Sequence, residues 1–227
     1  MCIISLDANT EEGTGDVLMD PTLISVSGFS SEVGKTSLVC DLLLMRPGWE
    51  AIKVTRGHYR SCGKDPHACC VSHLLGDKPL VFSGRDQTYK PGKDTGKYWD
   101  AGAGNVHWVV GTDQQVTEGV RTALTRVTGE GVFVEGTSFL KHIAADYSVM
   151  VARPQIKDLK SSALSVLSMV DALFIAFEAR DQTITEQLRE RLEKRGAKPS
   201  NIPIYFQEDK PLIYKEIERI VLSKRPM

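Results

Sequence analysis

The stretch from Ser27 to Leu38, SGFSSEVGKTSL, constrains this chain more than any other. With Gly28, Gly34, Lys35 and Thr36 in the fixed places, we interpret it as G-x-x-x-x-G-K-T, the pattern of a phosphate-binding loop. Such a loop needs a strand before it, glycines that let backbone N–H groups turn toward an anion, and a helix whose N-terminus adds positive charge. The chain supplies both neighbours, so a fold built around this strand, loop and helix is predicted.

Individual residues of the loop have predicted tasks. The lysine, Lys35, is placed to reach the β and γ phosphates of a nucleotide, and the Thr36 hydroxyl is placed to bind Mg²⁺. An apolar run from 22 to 27 predicts the strand, and Val39, Leu42 and Leu43 recur at helical spacing after the loop. The predicted nucleotide-binding residues are Gly28, Ser30, Ser31, Glu32, Val33, Gly34, Lys35, Thr36, Ser37 and Lys93.

Length and composition favour one domain. The chain has 227 residues with 41% apolar content, enough for a single α/β core, which we assign to residues 21–227. Residues 1–20 are polar and acidic, and we expect a flexible lead-in there. A net charge of −1 gives no indication of nucleic-acid binding. Without an apolar run of membrane-spanning length or a signal-peptide pattern, the expected location is the cytoplasm, away from any membrane.

Strand-like and helix-like segments alternate along the chain. Strands are predicted at 23–27, 51–55, 106–110, 131–135, 147–152, 172–177 and 202–206, and helices at 35–45, 95–103, 116–127, 158–169, 183–194 and 212–222. This alternation predicts an α/β fold with a doubly wound, mostly parallel sheet and ligands at the carboxyl ends of the strands. The segment from about 56 to 92 lacks a helical period and is predicted to be an inserted loop or hairpin.

Two further segments carry acidic residues suited to phosphate chemistry. In GVFVEGTSF, Glu135 directly follows an apolar strand and so lies at the carboxyl edge of the sheet, where it can serve Mg²⁺ or orient an attacking water. In KPGKDTGKYWDAGAG, Asp94 follows Lys93 in a glycine-rich turn, from which Asp94 can reach the metal or the water and Lys93 a phosphate. The predicted catalytic residues are Lys35, Asp94 and Glu135, and the predicted Mg²⁺ ligands are Thr36, Glu135 and Asp94.

The order of GFSSEVGKTSL, AIKVTRGHY, PGKDTGKYWDAGAG, VFVEGTSFLKH and VMVARP resembles that of molybdopterin-guanine dinucleotide biosynthesis protein B, over roughly 23–153. The Gly-Lys-Asp-Thr turn leading to Ala-Gly-Ala is the most specific part of the resemblance. The positions that match the family pattern are Gly28, Gly34, Lys35, Thr36, Lys53, His58, Lys93, Asp94, Thr95, Glu135, Gly136, Lys141 and His142.

The resemblance implies a homodimeric GTP-binding protein with weak hydrolysis, which assists the attachment of a nucleotide to molybdopterin together with a protein partner. That family shares its phosphate-loop class with dethiobiotin synthetase and the metallocentre-assembly GTPases. The letters EVGKT also look like dethiobiotin synthetase, although VEGTSF lacks the glycine pair expected there. The chain differs from the molybdopterin family in its cysteine-rich insertion and its longer C-terminal part.

The insertion contains an unusual group of potential metal ligands, GHYRSCGKDPHACCVSH. Thiolate and imidazole are the usual ligands of Zn²⁺ and of other transition metals. The spacing differs from a Cys-x-x-Cys knuckle, so small buried thiols and a reactive exposed pair are alternatives. If a metal binds, the best ligands are Cys62, Cys69, Cys70 and His73, called here the cysteine–histidine set.

The sequence leaves the nucleotide base open between GTP and ATP. No guanine-specific Asn/Thr-Lys-x-Asp motif follows the later strands, but Glu178 or Asp181 in IAFEARD can accept from guanine N–H groups. The first hypothesis is a slow Mg²⁺-dependent NTP hydrolase acting as an adaptor in molybdenum- or other metal-cofactor biosynthesis. The alternatives are an ATP-dependent ligase resembling dethiobiotin synthetase, and a non-enzymatic switch controlled by nucleotide and metal.

Overall fold

Eight strands form one sheet with seven helices around it in the computed structural model, which describes residues 20–57, 74–154, 159–178, 180–197 and 201–225. The strand order is β3-β4-β2-β5-β1-β6-β7-β8. All neighbouring strands pair in parallel except β3, which lies antiparallel to β4 at one edge. The predicted α/β class with a mostly parallel sheet is therefore confirmed.

The strands are β1 Thr22–Gly28, β2 Glu50–Arg56, β3 Leu80–Ser83, β4 Val106–Gly111, β5 Gly131–Glu135, β6 Tyr147–Ala152, β7 Ala172–Ile175 and β8 Ile204–Tyr205. The helices are α1 Lys35–Met45, α2 Arg85–Thr88, α3 Asp94–Asp100, α4 Val116–Leu124, α5 Ser161–Leu164, α6 Gln182–Glu193 and α7 Lys210–Lys224. Every residue of β1, β5, β6 and β7 is buried, as expected for strands covered by helices on both faces.

Apolar residues form one core on each face of the sheet. On one face, α4, α5 and α6 contribute Val120, Ala163 and Leu188. On the other face, α1, α3 and α7 cover the sheet with side chains such as Leu42 and Ile217. This double covering is the doubly wound arrangement that the alternation of strands and helices predicts. None of the described helices combines the length and the apolar content that a membrane crossing requires.

The region predicted as an insertion is only partly described. Its second part adds β3 and the single turn α2 to the edge of the sheet, so this part is a structured edge rather than an open loop. The cysteine–histidine set lies outside the described residues, as does nearly all of the predicted N-terminal lead-in. The assignment of 21–227 to a single domain stays a prediction.

A buried polar chain closes the amino edge of the sheet. Glu50, the first residue of β2, accepts from the backbone N–H groups of Thr128 (2.7 Å) and Gly129 (2.8 Å), and from the Thr128 hydroxyl. Its other oxygen lies 2.8 Å from His107 Nε2, and His107 Nδ1 lies 2.8 Å from the Ser83 hydroxyl. This series of hydrogen bonds thus joins β2, β3, β4 and the turn before β5, at the end of the sheet opposite the phosphate loop.

Candidate functional site

The phosphate loop leaves β1 at Gly28 and enters α1 at Lys35. Gly34, the residue that caps α1, has a φ of 103°, a conformation that L side chains rarely adopt, so glycine is required there. The spacing corrects one detail of the sequence pattern. Five residues separate Gly28 from Gly34, whereas the common pattern has four, so Phe29 occupies the usual position of the first glycine. Phe29 is buried and anchors the loop, because its backbone N–H donates to Val151 at 3.2 Å.

The Lys35 side chain folds back over its own loop. Its Nζ donates to the carbonyl oxygen of Ser30 at 3.2 Å. Burial lowers the pKa of Lys35; Lys53 and Lys160 add to this effect, and Glu135 opposes it. An anion in the loop would relieve this burial of an uncompensated charge, which is the electrostatic condition for binding a phosphate.

Thr36 and Glu135 meet beneath the loop, at the carboxyl ends of β1 and β5. The Thr36 hydroxyl donates to Glu135 Oε2 at 2.8 Å, and the buried Tyr98 hydroxyl on α3 donates to the same oxygen. Lys53 on β2 donates to Glu135 Oε1 at 2.6 Å and also pairs with Asp94 Oδ2 at 2.6 Å. The structure therefore brings together the three predicted Mg²⁺ ligands, Thr36, Glu135 and Asp94.

Sheet register explains this convergence. Lys53 and Glu135 are directly opposite partners in the parallel pairing of β2 with β5, so the lysine is held beside the carboxylate by the backbone. Asp94 and Tyr98 are one turn apart on α3, so their side chains lie on the same face of this helix. From there Asp94 contacts Lys53 and Tyr98 contacts Glu135. The Thr137 hydroxyl accepts from the Gly28 N–H at 3.4 Å and ties the end of β5 to the start of the loop.

The surroundings control the charge of each group. Burial alone would lower the pKa of Lys53, but Glu135 and Asp94 hold it above its ordinary value. Burial works to raise the pKa of Asp94, yet the hydrogen bond from Lys53 brings it below its ordinary value. Burial, reinforced by Glu135, raises the pKa of Tyr98 well above its usual 10.0, so Tyr98 stays a neutral donor.

Two cations near the loop were not predicted from the sequence. The Lys160 ammonium donates to the Ser31 hydroxyl at 2.9 Å, and the Lys160 backbone N–H donates to the Phe29 carbonyl. Arg153, directly after β6, lines a cleft beside the loop. Arg153 lies in the segment VMVARP, but no task was assigned to it, and no local motif marks Lys160.

The cleft beside the loop has a volume of about 290 Å³. Its lining includes Gly34 of the loop, Ser37 in the first turn of α1, and Phe177, Glu178 and Gln207. Asp41 also lines the cleft and is paired with Lys210. Of the two residues predicted to read a base, Glu178 lines this cleft, while the Asp181 carboxylate accepts from the Thr183 N–H at 2.8 Å and caps α6.

Several other predicted residues are exposed. Ser31 and Glu32 are exposed on the loop, Ser37 in the first turn of α1, and Lys93 directly before α3. Lys141 and His142 are exposed after β5. Among the described residues, no group of three or more His, Cys, Asp or Glu side chains is placed to hold a metal ion. Thr36 and two carboxylates nevertheless fit Mg²⁺ that arrives with phosphates, because Mg²⁺ at such sites uses one or two carboxylates, phosphate oxygens and water.

Strand, phosphate loop and helix on a mostly parallel sheet, with an acid beside the loop threonine, define the fold of the phosphate-loop nucleotide-binding proteins. No family model matches the sequence, and no curated protein does either.

Solved structures of similar fold include LpxK from Aquifex aeolicus in complex with ATP, with 18% identity, a TM-score of 0.42, and coverage of 83% of this chain and 71% of that one. A plasmid partition protein from Borrelia burgdorferi bound to AMPPNP matches with 12% identity, a TM-score of 0.40, and coverage of 91% and 100%. The MinC:MinD cell division protein complex of Aquifex aeolicus matches with 12% identity and a TM-score of 0.41, and the match covers 88% of this chain and 86% of that one. The resemblance to the molybdopterin family stays a prediction.

Proposed function

We propose that this chain binds a nucleoside triphosphate with Mg²⁺ at the phosphate loop and hydrolyses it slowly. The observation that carries the proposal is the contact between the Thr36 hydroxyl and the buried Glu135 carboxylate, at the start of the helix that Lys35 begins. This arrangement offers oxygen ligands for Mg²⁺ next to a lysine whose charge is poorly compensated in the free protein.

Each residue has a separate task in this proposal. Lys35 moves from the Ser30 carbonyl to the phosphate oxygens and neutralises charge that develops on them. Glu135 holds the metal or orients the attacking water, and Tyr98 and Thr36 fix its orientation. Bound Mg²⁺ supplies further neutralisation of the phosphate charge. Asp94 assists by holding Lys53 at the edge of the site.

We further propose that GTP is preferred over ATP. The base would enter the cleft that contains Phe177 and Glu178, both of which have exposed side chains. Guanine presents two N–H donor groups on one edge, and a carboxylate such as Glu178 can only accept. Glu178→Gln should therefore reduce the ratio of GTP to ATP affinity. Glu193→Gln is the matched control, because Glu193 is exposed near the end of α6. Equal ratios in all three proteins would exclude this base assignment.

The binding step is tested at the loop. Lys35→Ala should weaken triphosphate binding at least about tenfold, equivalent to roughly 1.4 kcal/mol, as measured by calorimetry. Lys215→Ala removes a lysine that is exposed on α7 and should leave the affinity unchanged. Unchanged affinity of Lys35→Ala for both GTP and ATP would contradict the proposal.

The catalytic step is tested at Glu135. Glu135→Gln should lower turnover far more than it lowers nucleotide affinity, because the carboxylate acts on the metal or the water. Turnover also separates the proposed function from its alternatives. An adaptor hydrolyses slowly alone, a ligase is nearly idle until its co-substrate is added, and a pure switch binds without hydrolysis.

The cellular role that we propose is that of an adaptor in molybdenum- or other metal-cofactor biosynthesis, acting as a homodimer with a protein partner. This part rests on the resemblance of the segments around 28–36, 92–104 and 132–142 to the molybdopterin family. The molar mass in solution, measured with and without nucleotide, tests the dimer. A monomer under both conditions would remove that part of the proposal and leave nucleotide binding intact.

A further inference from the structure

The Lys53 ammonium lies where two acidic side chains of the site converge. Its Nζ is 2.6 Å from Glu135 Oε1 and 2.6 Å from Asp94 Oδ2. The Lys53 side chain is 16% exposed and that of Glu135 only 3%, so this contact is largely enclosed, whereas the Asp94 side chain is 40% exposed. The contact is fixed by the backbone, because Lys53 and Glu135 are register partners of adjacent strands.

Both oxygens of Glu135 are already used. Oε1 accepts from Lys53, while Oε2 accepts from the hydroxyl groups of Thr36 and Tyr98. A divalent cation that used Glu135 and Asp94 together would need the space and the charge that the ammonium now fills. One ammonium between two carboxylates leaves a single net negative charge, which attracts a strongly hydrated Mg²⁺ ion only weakly.

We infer that Lys53 holds the place of a divalent cation between Glu135 and Asp94, and that the metal enters only together with the phosphates of a nucleotide. This inference rests on the proposed function, in which phosphates bind next to Thr36. Phosphate oxygens add negative charge and additional ligands for the metal, so Lys53 can leave Glu135 while Asp94 still holds it. Lys53 thereby keeps the nucleotide-free protein from binding metal ions at this site.

The test measures Mn²⁺ binding without nucleotide, by electron paramagnetic resonance. Lys53→Met keeps much of the side-chain length and removes the charge. Its affinity for Mn²⁺ should exceed that of the wild type at least about tenfold, because removal of the ammonium removes the repulsion between two close cations. Lys97→Met is the control, since Lys97 is exposed on the same helix as Asp94 and should change the affinity less than about threefold.

A second variant keeps both carboxylates and guards against misfolding. Lys53→Gln removes the charge but retains an N–H donor beside Glu135 and Asp94. If Lys53 holds the metal's place, this variant also binds Mn²⁺ more tightly than the wild type. In both variants Mn²⁺ should raise the unfolding temperature, an effect expected to be absent from the wild type.

The outcomes are distinct. Mn²⁺ affinities equal to that of the wild type in both Lys53 variants would overturn the inference, as would an equal gain in Lys97→Met. A gain in only one of the two Lys53 variants would overturn it as well. Calorimetry of wild-type protein with nucleotide and Mg²⁺ is a separate measurement. Failure to bind nucleotide there would contradict the proposed function, while the Mn²⁺ comparison would still report on Lys53.

Discussion

Replacing Glu50 by alanine should be among the most destabilising single changes in this protein. The Glu50 residue is 2% exposed, and its carboxylate accepts from two backbone N–H groups, one hydroxyl and His107. Each hydrogen bond to a charged group contributes about 1.5–3 kcal/mol, but the groups are coupled and do not add. Loss of the carboxylate leaves these buried donors unsatisfied, each at about 1–3 kcal/mol, and because they do not add we take about 3 kcal/mol as the expected loss of unfolding free energy.

Urea unfolding at neutral pH measures this loss, and Glu130→Ala provides the control. Glu130 also precedes β5 at the amino edge, but its pairing with Arg225 is exposed, with side chains 38% and 55% accessible. An exposed ion pair contributes about 0–1 kcal/mol. If Glu50→Ala costs no more than Glu130→Ala, the buried chain does not stabilise the sheet edge as argued.

The same site predicts a pH dependence. Burial disfavours the charged form of Glu50, but hydrogen bonds from His107 and from the N–H groups of Thr128 and Gly129 bring its pKa below the usual 4.5. Because the pKa is lowered by folding, the contribution is present above pH 4.5 and is lost as the pH falls through the folded-state value. The difference between wild type and Glu50→Ala should therefore shrink below pH 4.5. A constant difference across that range would argue against an ionised Glu50.

Three more changes have defined outcomes. Gly96→Ala should lower the unfolding free energy by about 1–3 kcal/mol, because the new Cβ would lie 2.1 Å from the Lys90 carbonyl oxygen. This loss is expected despite the better helix propensity of alanine. Gly76→Ala is the control, since its Cβ would meet open space and the change should be neutral. Tyr98→Phe should reduce the unfolding free energy by about 1.5–3 kcal/mol in urea titrations, since Glu135 loses a buried donor, and an unchanged value would count against that bond. Protein purified without chelator should hold about one equivalent of a transition metal, as measured by elemental analysis. Replacing Cys69 and Cys70 of the cysteine–histidine set by serine should remove it. If the wild-type protein contains no metal, the predicted metal site is wrong.

Local patterns were sufficient to predict the strands of the sheet interior. Continuous apolar runs at β1, β5 and β6 have a strong signal because helices cover both faces of these strands. The edge strand β3 has only four residues, none of them fully buried, and its place in the sheet is set by pairing with β4 across two intervening helices. A short edge strand of that kind has almost no signature of its own.

The residues of the candidate site also divide into those that local sequence patterns predict and those that depend on how the strands pair. Lys35, Thr36 and Glu135 follow directly from where strands end and helices begin, and the structure brings them together. The part played by Lys53 depends on the register between β2 and β5, which a single sequence does not specify. Tyr98 could have been found, because it lies four residues after Asp94 and so shares its helix face.

The short outer strands affect how copies of this chain can associate. β3 has four residues and β8 only two, so neither edge presents a long row of free backbone groups to a strand from another molecule. Copies that pair in solution would then meet through helices or loops and not by continuing the sheet. Detachment of β3 would uncover the six residues of β4, VHWVVG, which are rich in β-branched and aromatic side chains. Local release of β3 would therefore leave β4 as an edge strand suited to pairing with another copy of the chain.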